Sequence, residues 1–159
     1  IRTLHERGVA YVNVAGSGGT NWVRVESHRL PGDAGTAAGE FNGWGLPTAV
    51  VLAALEPGHG PVLASGGMRT GMDLAKAVAL GAELSGYALP MVRSVTENGV
   101  DGVLGYISQL EKVLKNVMML TGSRSIDELR RQRLMRTRSF TEAVQSLQFA
   151  DTAGEEREA

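Results

Sequence analysis

Residues 61–90, PVLASGGMRTGMDLAKAVALGAELSGYALP, constrain the fold more than any other stretch of this chain. Pro61-Val62-Leu63-Ala64 is a short apolar run, the pattern of a strand covered on both faces. Ser65-Gly66-Gly67 follows, and paired glycines allow a sharp turn and a close backbone approach to a ligand. Thr70-Gly71-Met72-Asp73 fits the S/T-x-x-D/E capping pattern, which predicts a helix start. Ala75, Val78, Ala79 and Ala82 keep the spacing of one buried helical stripe. Gly81 suits the helix end, and residues 83–87 read as a second buried strand.

This strand–turn–helix–strand order places backbone N–H groups and a helix N-terminus beyond the C-terminal end of the first strand. Such a place favours an anion, above all a phosphate. The phosphate site of a (β/α)8 barrel is built the same way, in its last two βα loops. The plainer alternative is an ordinary βαβ unit whose glycines only make turns.

A chain of 159 residues is long enough for one domain with a real core. Its 21 glycines and few aromatics suit tight βα loops better than a helical bundle. A net charge of −1 gives no general reason to expect nucleic acid or a membrane surface as partner. There is no cysteine, hence no disulfide framework, thiolate metal site or thiol nucleophile. No apolar run approaches the roughly 20 residues that cross a bilayer, so a soluble cytoplasmic protein is the default. Residues 1–8 read as the last turns of a helix with its glycine stop. That predicts a chain belonging to a longer one, since a full barrel takes about 250 residues.

Residues 9–15 (VAYVNVA) predict a strand, and Gly16-Ser17-Gly18-Gly19-Thr20 a second glycine-rich loop at its end. Trp22 and Glu26, if helical, share a face; core packing for the first and a surface role for the second are the plain readings. Residues 30–40 read as a loop, and Pro47 as the first turn of a helix running to about Glu56. Trp44 reads as a packing residue. Beyond Pro90 the pattern is helical, with a stripe at Val103, Ile107, Leu110, Leu114 and Val117 and a stop at Thr121-Gly122. Ser125-Ile126-Asp127-Glu128 and Ser139-Phe140-Thr141-Glu142 predict two more capped helices. Clustered arginines from Arg130 to Arg138 read as a solvated face or as inter-subunit ion pairs. Residues 150–159 read as a frayed tail. His5, His28 and His59 have no metal spacing, and no side-chain catalytic triad is recognisable, so chemistry would come from a cofactor.

Three motifs stand in a specific order: Gly18-Gly19-Thr20-Asn21-Trp22 with Glu26, Trp44-Gly45-Leu46-Pro47-Thr48, and Ala64-Ser65-Gly66-Gly67-Met68-Arg69. Together they resemble the C-terminal half of type 2 isopentenyl-diphosphate isomerase, an FMN-dependent (β/α)8-barrel enzyme. Met119-Leu120-Thr121-Gly122 and Asp127-Glu128-Leu129-Arg130 resemble that family's closing helices. The resemblance covers residues 1–149, and it implies a partial TIM barrel: the last three strands with their helices, then C-terminal helices.

The resemblance further implies FMN phosphate held by backbone groups at Gly66, Gly67, Met68, Ala88 and Leu89, with Thr20 reaching the flavin. Glu26 matches a catalytic position and Trp22 a substrate position. The implied reaction interconverts isopentenyl diphosphate and dimethylallyl diphosphate in isoprenoid biosynthesis, reduced FMN acting as acid and base. NAD(P)H would reduce the flavin, Mg2+ would bridge the substrate diphosphate to a carboxylate, and the full-length protein would be a homo-oligomer. Leu89 departs from the family, which has an arginine before the proline. The family's metal carboxylate, diphosphate-binding segment and flavin-contacting lysine lie in segments not matched here, so no metal ligand is assigned and the chain alone is expected to be inactive. Two other readings stay open: an FMN-dependent oxidoreductase of the hydroxy-acid oxidase type, and a non-catalytic anion-binding remnant.

Overall fold

The computed structural model describes residues 1–155, with side chains as far as residue 148. Three strands, β1 (Val12–Ala15), β2 (Val62–Ser65) and β3 (Leu84–Ser85), form one parallel sheet in the order β1-β2-β3. Val12 pairs with Val62, and Leu63 with Leu84. Among the described residues eight helices accompany it: α1 (Arg2–Glu6), α2 (Trp22–Ser27), α3 (Gly32–Gly39), α4 (Thr48–Ala54), α5 (Gly71–Ala79), α6 (Leu89–Leu120), α7 (Ile126–Arg130) and α8 (Arg138–Glu155). This is a mixed α/β fold, a partial (β/α)8 barrel of three adjacent strands. Among the described residues the outer edges of β1 and β3 pair with no further strand.

β1 and β3 are shorter than the apolar runs that predict them. Residues 9–11 stay out of β1 because α1 holds them: Val9 N–H donates to Leu4 O, and Val9 O meets His5 Nδ1 at 2.7 Å. β3 stops at Ser85, where the chain turns into α6 after one last bond from Gly86 N–H to Ala64 O, 2.7 Å. Nor is β2 covered equally on both faces. Val62 and Ala64 are fully buried toward the helices, while Leu63 and Ser65 are half-buried on the other side.

The core lies on the helix side of the sheet. Val14, Val62, Ala64 and Met68 pack with Leu52 of α4 and Ala77 of α5. A second cluster joins Ala75 and Val78 of α5 to Leu129 of α7, flanked by Leu114 and Val117 of α6. The α5–α6 approach is close because Gly71 has no side chain; a Cβ there would lie 2.5 Å from Val113 Cβ.

The predicted caps hold at two of three helices. Thr70 and Asp73 form a full capping box on α5, and Gly81 follows it at φ +99°. Ser125 Oγ accepts from Glu128 N–H at α7. At α8 the cap is Thr137 rather than Ser139: Thr137 Oγ1 accepts from Phe140 N–H at 3.3 Å. The helix continues to Glu155, across the start of the expected tail, and residues 156–159 lie outside the described residues.

Other expectations are corrected. Residues 32–39 form α3 rather than a loop, because the small residues of this stretch let it seat on α2; a Cβ on Gly35 would lie 2.6 Å from Leu30 O. Within the stripe of α6, Leu110 is buried but Ile107 is half exposed. The helix also begins earlier, at Leu89, and is broken at Asn98 and Gly99, whose backbones are non-helical. Arg130 pairs within the chain, with Glu83 at 2.9 Å and Asp127 at 3.5 Å, fastening α7 to the start of β3.

Candidate functional site

At the C-terminal ends of the three strands the connecting loops surround a cleft of about 520 Å³. Its walls come from the loop after β1 (Gly18, Gly19, Thr20), the loop after β2 (Gly66, Gly67, Met68, Arg69) and the segment after β3 (Tyr87, Ala88, Leu89). Trp22, the first residue of α2, stands at its margin. Every flavin position implied by the resemblance is therefore brought to one place, together with Trp22. Glu26 is not. It lies one turn further along α2, with Arg29 Nη1 at 3.9 Å.

The two glycine loops are shaped by each other. Gly66 and Gly67 have φ of +83° and +82°, a backbone region that L side chains rarely adopt. A Cβ on Gly66 would lie 2.3 Å from Gly16 O, and one on Gly67 would lie 2.9 Å from the Gly18 carbonyl carbon. The glycines thus let two backbones touch, as well as leaving the cleft open. Loop contact, not an approach path for phosphate, is what a side chain at Gly67 would obstruct.

Among the described residues no hydrogen bond takes the N–H groups of Gly66, Gly67, Met68, Ala88 or Leu89. Five donors left free around one cleft are what an anion needs. The helix end facing them is not the expected one. At the start of α5, Asp73 Oδ2 already accepts from Arg69 N–H at 3.1 Å and Thr70 N–H at 2.8 Å, and Thr70 Oγ1 accepts from Asp73 N–H. Burial acts to raise the Asp73 pKa, but these bonds and the Thr70 hydroxyl prevail and hold it below its ordinary value. The open N-terminus is that of α6. Ala88, its N-cap residue, makes no side-chain cap, and Leu89 and Pro90 border the cleft. Pro90 in the first helical turn is the sequence signal that could have marked this start.

Three residues not assigned from sequence matter here. Thr48 is buried, and its hydroxyl lies 2.7 Å from Ser65 O and 2.8 Å from Gly66 O, seating the β2 loop on α4. Arg69 donates from Nη1 to Gly67 O at 2.9 Å and from Nη2 to Gly18 O at 3.1 Å, joining the two glycine loops. Among the described residues it is the single charged one lining the cleft. Tyr87 donates to Thr70 O at 3.0 Å. Thr48 and Arg69 stand at the ends of two motifs noted in the sequence, which is the signal that pointed to them.

Met68 borders the cleft yet is buried in the core, packed with Val62, Ala64 and Ala77. Trp22 is 75% exposed, against the plain expectation of core packing, and Trp44, read as a packing residue, is 80% exposed. They sit on the projecting stretch between β1 and α4, where Trp44 meets only Phe41 as an aromatic neighbour, with ring centroids 5.6 Å apart.

Residues 46–136 match the profile of the FMN-dependent dehydrogenases, and the chain belongs to that family. The fold agrees. A mandelate oxidase variant solved with a monooxide FMN adduct superposes with a TM-score of 0.59 at 24% identity, over 86% of this chain and 38% of that one. Inosine 5′-monophosphate dehydrogenase from Legionella pneumophila gives 0.56 at 16% identity, over 87% and 53%. In sequence the chain is similar to curated proteins named isopentenyl-diphosphate delta-isomerase. Identity is 43% over 134 residues with that of Borrelia garinii subsp. bavariensis, covering 84% of this chain and 37% of the relative. It is 41% over 136 residues with that of Pyrococcus abyssi, covering 84% and 37%, and 39% over 151 residues with that of Halobacterium salinarum, covering 89% and 41%. The chain spans little more than a third of the length of these relatives.

Proposed function

We propose that this chain forms the FMN-phosphate side of a type 2 isomerase that interconverts isopentenyl diphosphate and dimethylallyl diphosphate. The observation that carries the reading is the cleft: two glycine loops and the start of α6 leave five backbone N–H groups free around one space. Relatives with the isomerase name at 39–43% identity favour this reaction over that of the hydroxy-acid oxidases, whose likeness is one of fold.

The N–H groups of Gly66, Gly67, Met68, Ala88 and Leu89 would bind the phosphate oxygens, with the α6 N-terminus adding its partial positive charge. Arg69 would supply the cationic charge that Leu89 does not. Thr20 would meet the flavin from the facing loop, and the Trp22 ring would wall the cleft against water on the substrate side. Glu26 shares a helix face with Trp22 but sits about 6 Å further along the axis, so an acid–base role requires α2 to shift toward the cleft. When bound and reduced, FMN supplies the proton transfers that move a double bond. NAD(P)H as reductant and Mg2+ on the substrate diphosphate complete the reading for a longer, homo-oligomeric cytoplasmic protein. Among the described residues no group of three or more His, Cys, Asp or Glu could hold a metal ion, so they offer Mg2+ no ligand set.

The test is a flavin titration of the purified chain. FMN is expected to bind at least tenfold more tightly than riboflavin, which lacks the phosphate, about the worth of one or two charge-assisted hydrogen bonds. Equal affinities would overturn the phosphate reading, and failure to retain any flavin would overturn the FMN reading outright. The chain alone, given reduced FMN, is expected not to convert isopentenyl diphosphate. Measurable conversion would show that no further segment is needed.

A further inference from the structure

Behind the β2 loop, the two residues after Met68 are held from both sides. The N–H groups of Arg69 and Thr70 both donate to Asp73 Oδ2. Their carbonyls face the other way, toward two tyrosines: Tyr87 donates to Thr70 O at 3.0 Å, and Tyr106 donates to Arg69 O. The rings stand edge to face, with centroids 6.2 Å apart. Tyr87 belongs to the segment after β3 that borders the cleft, and Tyr106 to α6 beyond its break at Asn98 and Gly99. Burial, then Tyr106 and then Asp73, push the Tyr87 hydroxyl up to about 12, so it remains a proton donor at any physiological pH. Tyr106 is raised as well, by burial and by Asp73.

A loop that keeps its own N–H groups free for a ligand cannot fix its shape with them. Something behind it must do so. Here the same pair of hydroxyls also fixes the distance between the two groups of donors, because Tyr87 sits next to Ala88 while gripping the β2 loop. We propose that Tyr87 and Tyr106 are positioning residues that clasp the β2 loop to the β3–α6 segment and so set the spacing of the phosphate donors. The clasp rests on the phosphate reading above. It takes no part in gripping the rest of the flavin.

The experiment is a titration of the parent chain, Tyr87→Phe, Tyr106→Phe and the double variant with FMN and with riboflavin, each at matched folded fraction from thermal unfolding. Phenylalanine keeps the ring pair and removes only the hydroxyls. Each single variant is expected to weaken FMN about three- to tenfold, the worth of one hydrogen bond, and the double variant more. Riboflavin affinity is expected to stay within about twofold of the parent. If the parent itself does not prefer FMN over riboflavin, the phosphate reading fails, and the clasp as a phosphate device falls with it. If the parent prefers FMN and the variants keep the same ratio, the clasp alone is overturned. A parallel loss of both flavins would also overturn it, as that marks a merely structural pair.

Discussion

The loops that follow β1 and β2 are both rich in glycine, and the chain uses them in opposite ways. After β2, Gly66, Gly67 and Met68 reach the cleft, with Met68 in the core, and Arg69 and Thr70 behind them are held by Asp73, Tyr87 and Tyr106. After β1 the chain returns to the sheet only at Leu46 and Pro47, where Leu46 O accepts from Ser17 N–H at 2.7 Å. Between them α2 and α3 pack chiefly on each other, contain no buried residue, and carry Trp22 outward. Glycine permits both outcomes. The side chains behind the loop decide between a fixed cradle and a projecting arm.

The sharpest way to break this contrast is to add side chains to glycines of each kind. Gly67→Val combines a left-handed φ with a Cβ 2.9 Å from the Gly18 carbonyl carbon, so it is expected to cost about 3 kcal/mol or more and to abolish FMN binding. Gly43→Ala, in open space on the arm, is expected to change stability by less than about 0.5 kcal/mol. Thermal unfolding of both variants checks the pair. Similar shifts would mean that the β2 loop is no more constrained than the arm.

Met68→Ala comes next. It empties a core position at the edge of the cradle and is expected to cost about 2–3 kcal/mol in a urea titration. At matched folded fraction FMN affinity is expected to hold, because recognition there is by backbone. Loss of flavin without loss of stability would transfer recognition to the side chain.

A smaller effect is expected at the cap. Thr70→Ala removes one of the capping bonds of α5 and is expected to cost about 1 kcal/mol. The Asp73 pKa is lowered in the folded chain from an ordinary 3.8. The unfolded chain therefore binds this proton first as pH falls. The stabilisation is present above 3.8 and is lost as pH drops through the folded value. Asp73→Asn should flatten that acid limb in urea midpoints taken from about pH 5 downward. An unchanged acid slope would remove Asp73 from the account.

Much of the cradle was legible in the sequence, because capping, glycine pairs and apolar runs act over a few residues. Thr70, Asp73 and Gly81 announced α5, and the resemblance named Thr20, Gly66, Gly67, Met68, Ala88 and Leu89, all of which border the cleft, but not Arg69 or Tyr87. What local pattern could not reach was set by distant contacts. Asp73 looks like a plain capping residue, and only the fold reveals that it also accepts from Arg69 N–H, while Leu89 and Pro90 at the start of α6 border the cleft. Ser139 has the better capping pattern, yet Thr137 begins α8. Residues 32–39 have the composition of a loop and become helical because Gly35 can seat against Leu30 and Ser27. Large aromatics usually signal a core, but Trp22 and Trp44 sit on a segment that the described residues do not cover.

Trp22 offers the finest test of the contrast. At 75% exposure its ring gives up little buried area on truncation, so Trp22→Ala is expected to move stability by no more than about 0.5 kcal/mol. Trp22 nevertheless borders the cleft, as does Thr20. Its removal should therefore weaken FMN and riboflavin by the same factor, about threefold, since an aromatic contact acts on the flavin ring and not on the phosphate. That is the opposite signature from the tyrosine variants, which separate the two ligands. Unfolding curves and paired titrations read both quantities from one preparation. A fall of several degrees in Tm would place the arm within the cooperative core. A loss confined to FMN would move Trp22 to the phosphate end of the cleft.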